Sequence, residues 1–162
     1  MKQNKAQGGN IILFSFIAGF ILSMLPLPQV LQGIRPEFVV IVLIYWCIAL
    51  PNRIGVGVGW IAGLFFDVST DSLLGQHALT FALIAFLAIK LHQQIRVFPI
   101  WQQALTIFIL MMFQGTITLW ITGMLDNAPT LWTITLPAIS TAIFWPVGYL
   151  IMRQLRRFYQ IN

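Results

Sequence analysis

Six runs of apolar residues divide the chain, and short stretches rich in proline, asparagine, serine and charge separate them. Runs of this kind are typical of helices that cross a membrane, because about 20 helical residues span the hydrocarbon core. The pattern predicts spans at about 10–28, 36–50, 54–70, 73–91, 101–124 and 131–152. Since the loops are so short, we expect a single transmembrane domain over 1–162 and no separate soluble domain.

The third run carries small residues at a regular spacing. Gly55, Gly59 and Gly63 recur every four residues, and Asp67 and Asp71 continue the same spacing. In a helix these positions share one face, and a face without side chains lets another backbone approach closely. We therefore predict that the glycine stripe, Gly55, Gly59 and Gly63, forms a helix contact. The contact lies either within the bundle or with a partner's transmembrane helix.

A turn of only three residues, 51–53, joins the second and third runs, which predicts an antiparallel hairpin. Counted outward from this turn, Arg35, Glu37 and Asp67 reach a similar depth near the outer face. An ionised acid at membrane depth is costly without a partner, so we hypothesise an outer polar cluster of Arg35, Glu37 and Asp67 in which Asp67 pairs with Arg35. Alternatively, local thinning of the bilayer brings all three to the head groups, where Arg35 pairs with lipid phosphate or Glu37.

Composition supports a membrane environment. Hydrophobic residues make up 59% of the chain and charged residues 8%, which leaves too little polar surface to cover a soluble globule. The net charge of +5 comes from basic residues at the ends of apolar runs, and this distribution indicates membrane orientation rather than nucleic-acid binding. If the amino terminus is cytoplasmic, Arg35 is the one basic residue left outside. The positive-inside rule therefore predicts that both termini are cytoplasmic.

The last run leads into a basic tail. Arg153, Arg156 and Arg157 follow helical spacing, so one face of the tail is expected to meet anionic lipid of the inner leaflet.

The sequence lacks the familiar motifs for catalysis and metal binding. The sequence contains no glycine-rich phosphate loop, no HExxH and no CxxC, and the spacing of Asp67, Asp71 and His77 matches no familiar zinc pattern. We predict no catalytic residue, no metal and no cofactor. Gln114 and its neighbours Gly115 and Thr116 either hydrogen-bond between helices or line a cavity.

A series of short motifs runs in order from about Gly8 to the final arginines: Arg35-Pro36, Tyr45-Trp46, Ala49-Leu50-Pro51, Arg53, Gly57, Gly59, Gly63, Asp67, Leu74-Gly75, Ala78-Leu79, Trp101-Gln102-Gln103-Ala104, Trp145-Pro146 and Met152-Arg153. In this order and at this chain length they resemble the rod shape-determining MreD family. Asp71 departs from the pattern, because a small residue is expected in that turn, and it therefore carries less weight than Asp67.

The resemblance implies an all-α integral membrane protein, a compact bundle of about six transmembrane helices similar to the substrate-binding subunits of energy-coupling-factor transporters. It also implies a non-catalytic scaffold subunit of the cell-elongation (Rod) complex in the bacterial inner (cytoplasmic) membrane. The implied partners are MreC and, through it, MreB, RodA and a class B penicillin-binding transpeptidase. The alternative is a small-molecule- or lipid-binding membrane subunit of a transporter-like system.

Overall fold

The computed structural model describes residues 3–26, 28, 33–124 and 130–159, and nothing is described of the side chains of 3–7. The described residues form six helices and no strand, so the prediction of an all-α protein is confirmed. In chain order the helices are α1 (Gln3–Met24), α2 (Phe38–Ala49), α3 (Val56–Ser69), α4 (Gln76–Val97), α5 (Ile100–Gly123) and α6 (Trp132–Phe158).

A helix lies in each predicted span, but several ends differ. The predicted fourth span stops at 91, whereas α4 continues to Val97 because glutamine and arginine are good helix formers. It ends where Phe98 adopts an extended backbone, with φ −68° and ψ 142°, since the residue before a proline disfavours the helical region. Similarly, α6 continues to Phe158 and includes the basic tail.

The central helix of the bundle is α2. Every residue from Val39 to Ala49 is buried, and α2 packs against α1, α4 and α6. Because the helix is apolar on all sides, it has no polar face to present to a head group or to solvent. The other helices are therefore arranged around it.

Three of the helices among the described residues, α4, α5 and α6, are long and apolar enough to cross a membrane. The other apolar helices, Gly8–Met24, Phe38–Ala49 and Val56–Ser69, are shorter. The 12 residues of α2 span about 18 Å, against a hydrocarbon core about 30 Å thick. These lengths are consistent with a helical membrane protein, and the number of spans stays a prediction.

Two glycines of the predicted stripe bring α3 and α4 into close contact. A Cβ added to Gly59 would lie 2.7 Å from the Phe81 carbonyl oxygen, and one added to Gly63 would lie 2.4 Å from Ala78 Cα. Gly55 instead precedes α3, and a Cβ there would meet nothing within 4 Å. The structure therefore places Gly59 and Gly63, but not Gly55, in a helix contact inside the bundle.

The expected hairpin of α2 and α3 is not formed as a packed pair. Over the described residues, α4 packs extensively against α3 and also against α2, whereas α2 and α3 make little contact with each other. The physical reason is the direction of the glycine face: Gly59 and Gly63 lie against α4, where backbones can approach most closely. The short turn 51–53 therefore joins two helices that each use α4 as a neighbour.

Candidate functional site

Asp67 accepts the free backbone donors at the start of α4. Its carboxylate is almost fully buried and accepts five hydrogen bonds. Three of these come from the backbone N–H groups of Gly75 (2.8 Å), His77 (2.9 Å) and Ala78 (3.3 Å). The first N–H groups of a helix lack intrahelical acceptors and attract negative charge. Asp67 thus caps α4 from the end of α3.

The other two donors to Asp67 are side chains. Ser72 Oγ donates to Asp67 Oδ1 at 2.9 Å, and His77 Nδ1 lies 2.8 Å from the same oxygen. Because an ionised carboxylate only accepts, the Nδ1 proton is assigned to the histidine. The backbone at 75–78 lies close to the Asp67 carboxylate. Gly75 has φ +100° in this turn, a conformation that favours glycine.

Asp71, the last residue of the four-residue spacing, lies apart from this network. Its side chain is exposed, and its backbone has φ 50° in the turn after α3. Aspartate tolerates this left-handed conformation better than most residues do. Asp71 therefore serves the turn rather than the cap of α4.

Glu37 lies at the start of α2 and faces different residues. Its backbone N–H donates to Thr141 Oγ1 of α6 at 3.0 Å, and its Oε2 accepts from Gln114 Nε2 of α5 at 2.8 Å. These contacts join the beginning of α2 to the later half of α5 and the first half of α6. They explain why Gln114 is buried within an apolar helix.

A cavity of about 220 Å³ lies beside these groups, and we name it the Glu37 cavity. Its polar lining comes from α2, α4, α5 and α6 or their ends: Glu37, Gln76, His77, Gln114, Thr118 and Thr133. His77 contacts Asp67 and also lines this cavity. The cavity therefore adjoins the cap of α4.

Arg35 does not pair with Asp67. Its Nη2 donates to the carbonyl oxygens of Leu22 (3.3 Å) and Leu25 (3.0 Å) at the end of α1, where helix carbonyls lack partners. The basic side chain that contacts Asp67 is His77, whose Nδ1 lies 2.8 Å from Oδ1 and forms an ion pair with it when the imidazole is protonated. The hypothesised pair of Arg35 with Asp67 is therefore wrong, and His77 takes the position of Arg35 beside Asp67. The chain that follows α3 reaches the end of α3 more easily than the segment before α2 does.

At the carboxyl ends of α2 and α4, a basic side chain binds backbone carbonyl groups. Arg96 of α4 donates through Nε to the Ile48 oxygen at 2.9 Å and through Nη2 to the Ala49 oxygen at 2.9 Å. A cation at the carboxyl end of a helix also suits its dipole. The last turn of α2 is thereby held to the last turn of α4.

The basic tail occupies the last turns of α6. Arg153 and Arg157 are exposed, and Arg156 is partly buried. The tail therefore presents at least two guanidinium groups on the surface.

An apolar groove opens between α1 and α6, with α2 as its floor, and we name it the α1–α6 groove. Its volume is about 390 Å³, and Phe14, Phe144, Val147 and Ile151 line it with largely exposed side chains. Gly148 allows α6 to approach α2, since a Cβ there would lie 2.7 Å from Ile41 Cγ2. The α1–α6 groove is the second candidate site of the molecule.

Sequence analysis missed two residues of the polar network. The sequence singles out His77 only as part of an unfamiliar metal spacing, and it does not single out Ser72. A usable signal was present: an acid at the end of one apolar run is followed within ten residues by serine, glycine and histidine at the start of the next. The role of Glu37 as a partner of Gln114 had no such local signal, because 77 positions separate the two residues.

Comparison with known proteins places the chain among its relatives. The family model described as rod shape-determining protein MreD matches residues 5–155. The rod shape-determining protein MreD of Haemophilus influenzae is 30% identical over 146 residues, which cover 90% of each chain. No solved structure matches. This chain belongs to the rod shape-determining MreD family.

Proposed function

We propose that this protein is a non-catalytic scaffold subunit of the cell-elongation complex in the bacterial inner membrane. In this role it maintains rod shape by assembling or orienting the enzymes of lateral peptidoglycan synthesis. Family membership supports a role in determining rod shape, and the α1–α6 groove is the observation that supports a scaffold.

The α1–α6 groove has the features of a helix-binding surface. Its lining is almost entirely apolar, and two glycines, Gly19 and Gly148, lie in it. In a membrane, helices associate through close van der Waals packing and small residues, so a single transmembrane helix is a suitable occupant. We assign this position to MreC, and through MreC the protein acts on MreB, RodA and a class B penicillin-binding transpeptidase.

Photocrosslinking tests this assignment. A photoreactive residue in place of Ile151, inside the groove, is expected to crosslink MreC in intact membranes. The same residue in place of Ile109 is the matched control, because Ile109 is similarly exposed, 58% against 54%, but lies outside the groove. Equal crosslinking of MreC from both positions, or crosslinks to MreC from 109 alone, would contradict the proposal.

The proposal includes a single transmembrane domain of six spans with both termini in the cytoplasm, in a bundle similar to energy-coupling-factor substrate-binding subunits. The contact of Arg96 with the end of α2 supports it, because the proposed topology places the carboxyl ends of α2 and α4 at the same inner face. Arg153, Arg156 and Arg157 then lie at that face, where anionic lipid attracts them.

A reporter at the carboxyl terminus checks this topology. A fluorescent protein that folds only in the cytoplasm is expected to be bright when fused after residue 162, and an alkaline phosphatase fusion at the same point is expected to be inactive. The reverse pair of results would require an odd number of spans between a cytoplasmic amino terminus and the tail.

A second candidate function is a membrane subunit that binds a small molecule or a lipid. The Glu37 cavity favours it, since a concave site with a few convergent polar groups is typical of ligand binding. The two candidates predict different results for a variant altered only at the cavity: ligand retention changes under the second candidate, whereas crosslinking to MreC through the α1–α6 groove persists under the first.

A further inference from the structure

One residue that lines the Glu37 cavity, Gln114, has a buried hydrogen-bond acceptor that no described residue uses. Gln114 is 3% exposed, and its Oε1 is buried without a hydrogen-bond partner. The Gln114 amide donates from Nε2 to Glu37 Oε2, and this leaves its Oε1 without a donor in a residue that lines the cavity. Buried polar atoms in proteins are nearly always hydrogen-bonded, and an orphaned one in a polar cavity points to an absent donor.

Among the described residues, no lysine or arginine forms a salt bridge with Glu37. The cation closest to it in the chain is Arg35, whose Nη2 bonds the end of α1. His77 lines the same cavity, but its Nδ1 pairs with Asp67. A carboxylate at membrane depth is costly unless a positive charge or several donors compensate it. The amide of Gln114 provides one donor only.

The unmet requirements of the two residues match one chemical group. An ammonium carries a positive charge and three donors, which can satisfy Glu37 and Gln114 Oε1 together. An anion would be repelled by the Glu37 carboxylate and would bring no donor to Gln114 Oε1. A metal ion is less suitable, because the described residues contain no group of three or more histidine, cysteine or acidic side chains.

We propose that the Glu37 cavity binds a primary ammonium group, with Glu37 and Gln114 Oε1 accepting its hydrogen bonds. The cavity of about 220 Å³ is smaller than the roughly 300–1,000 Å³ typical of drug-sized ligands, so it accommodates a head of a few heavy atoms. This chemistry has two sources, a free small amine or the ethanolamine head group of a lipid. The inference deepens the second candidate function and does not depend on the scaffold role.

Thermal unfolding of the purified full chain, in a detergent and buffer free of amines, tests the free amine. Ethanolamine is expected to raise the unfolding midpoint in a saturable manner near neutral pH, as any ligand of the folded state does. Ethylene glycol is the neutral control of nearly equal size, and we expect it to bind at least about tenfold more weakly because it cannot form a charge-assisted bond with Glu37. Equal midpoint shifts by the two compounds would overturn the proposal.

Nanodiscs test the lipid source. Native mass spectrometry is expected to show retention of phosphatidylethanolamine in preference to phosphatidylcholine, whose trimethylated head group has no N–H donor. Retention of this lipid, saturable binding of free ethanolamine, or both would support an ammonium site and identify its source. If neither ligand binds, the proposal fails.

Variants connect either result to the cavity. Glu37→Gln is expected to weaken binding at least about tenfold, which corresponds to about 1.4 kcal/mol, and Gln114→Met should weaken it several-fold by removing the acceptor. Asp71→Asn is the matched control, because Asp71 is an exposed acid outside the cavity. If Glu37→Gln does not fold, Gln114→Met and the comparison with ethylene glycol remain decisive. Unchanged binding in Gln114→Met would count against the proposal, and unchanged binding in a folded Glu37→Gln would overturn it.

Discussion

Gly63→Ala is expected to lower the free energy of unfolding by about 3 kcal/mol and to abolish rod-shape maintenance in cells that depend on this gene. The added Cβ would lie 2.4 Å from both Ala78 Cα and the His77 carbonyl oxygen. Both are backbone atoms, so no side-chain rotation can relieve the overlap. The helices α3 and α4 must separate along their contact. Thermal unfolding in detergent and cell morphology measure the two effects.

Gly57→Ala is the control for this change. Gly57 lies in the same helix as Gly63, and the same change to alanine is made there. A Cβ at Gly57 would meet nothing within 4 Å. Alanine is also the better helix former, by up to about 1 kcal/mol, so the stability of this variant should stay the same or rise slightly. A Gly63→Ala variant as stable as Gly57→Ala would show that the close contact of α3 with α4 is not required.

Asp67→Asn is expected to cost about 2–4 kcal/mol, since a buried charged acceptor bonded to several donors is replaced by a group with one acceptor oxygen. The backbone N–H groups of Gly75, His77 and Ala78 donate to both carboxylate oxygens of Asp67. The NH2 group of asparagine would replace one of these oxygens and would place donor against donor. The first turn of α4 should therefore fray. Hydrogen exchange of the 75–80 backbone amides measures the local effect, and thermal unfolding the global one.

Asp71→Asn separates this effect from a general loss of negative charge. Both acids lie near the same end of the bundle, but Asp71 is exposed, and asparagine tolerates the positive φ of this turn. We expect less than about 0.5 kcal/mol of change, as for most surface substitutions. Faster exchange at 75–80 in both variants alike would refute the capping role of Asp67.

The two predictions concern one structural unit. Gly63 and Asp67 lie one turn apart on the same face of α3, and both contact the first turn of α4 around His77 and Ala78. Close approach at Gly63 brings the carboxylate of Asp67 within reach of the N–H groups, and the cap then holds His77 beside the Glu37 cavity. Disruption of either contact should therefore also weaken the ammonium binding that we propose for that cavity.

Much of the local structure follows from the sequence. The six apolar runs predict the helices, because the length and hydrophobicity of a run are properties of contiguous residues. The spacing of Gly59 and Gly63 likewise predicts a close contact, since four residues make about one helical turn. Family membership also follows from the order of motifs along the chain.

Only the tertiary structure decided which groups meet. The glycine face of α3 packs on α4 within the bundle, where the sequence left its partner open. Asp67 contacts His77 rather than Arg35, and Glu37 contacts Gln114 of another helix. The physical reason is that the hydrophobic periodicity of a helix predicts which of its faces is buried, but it does not predict which other helix packs on that face. Several apolar faces compete for each neighbour, and shape, close backbone approach and the satisfaction of buried polar atoms select among them.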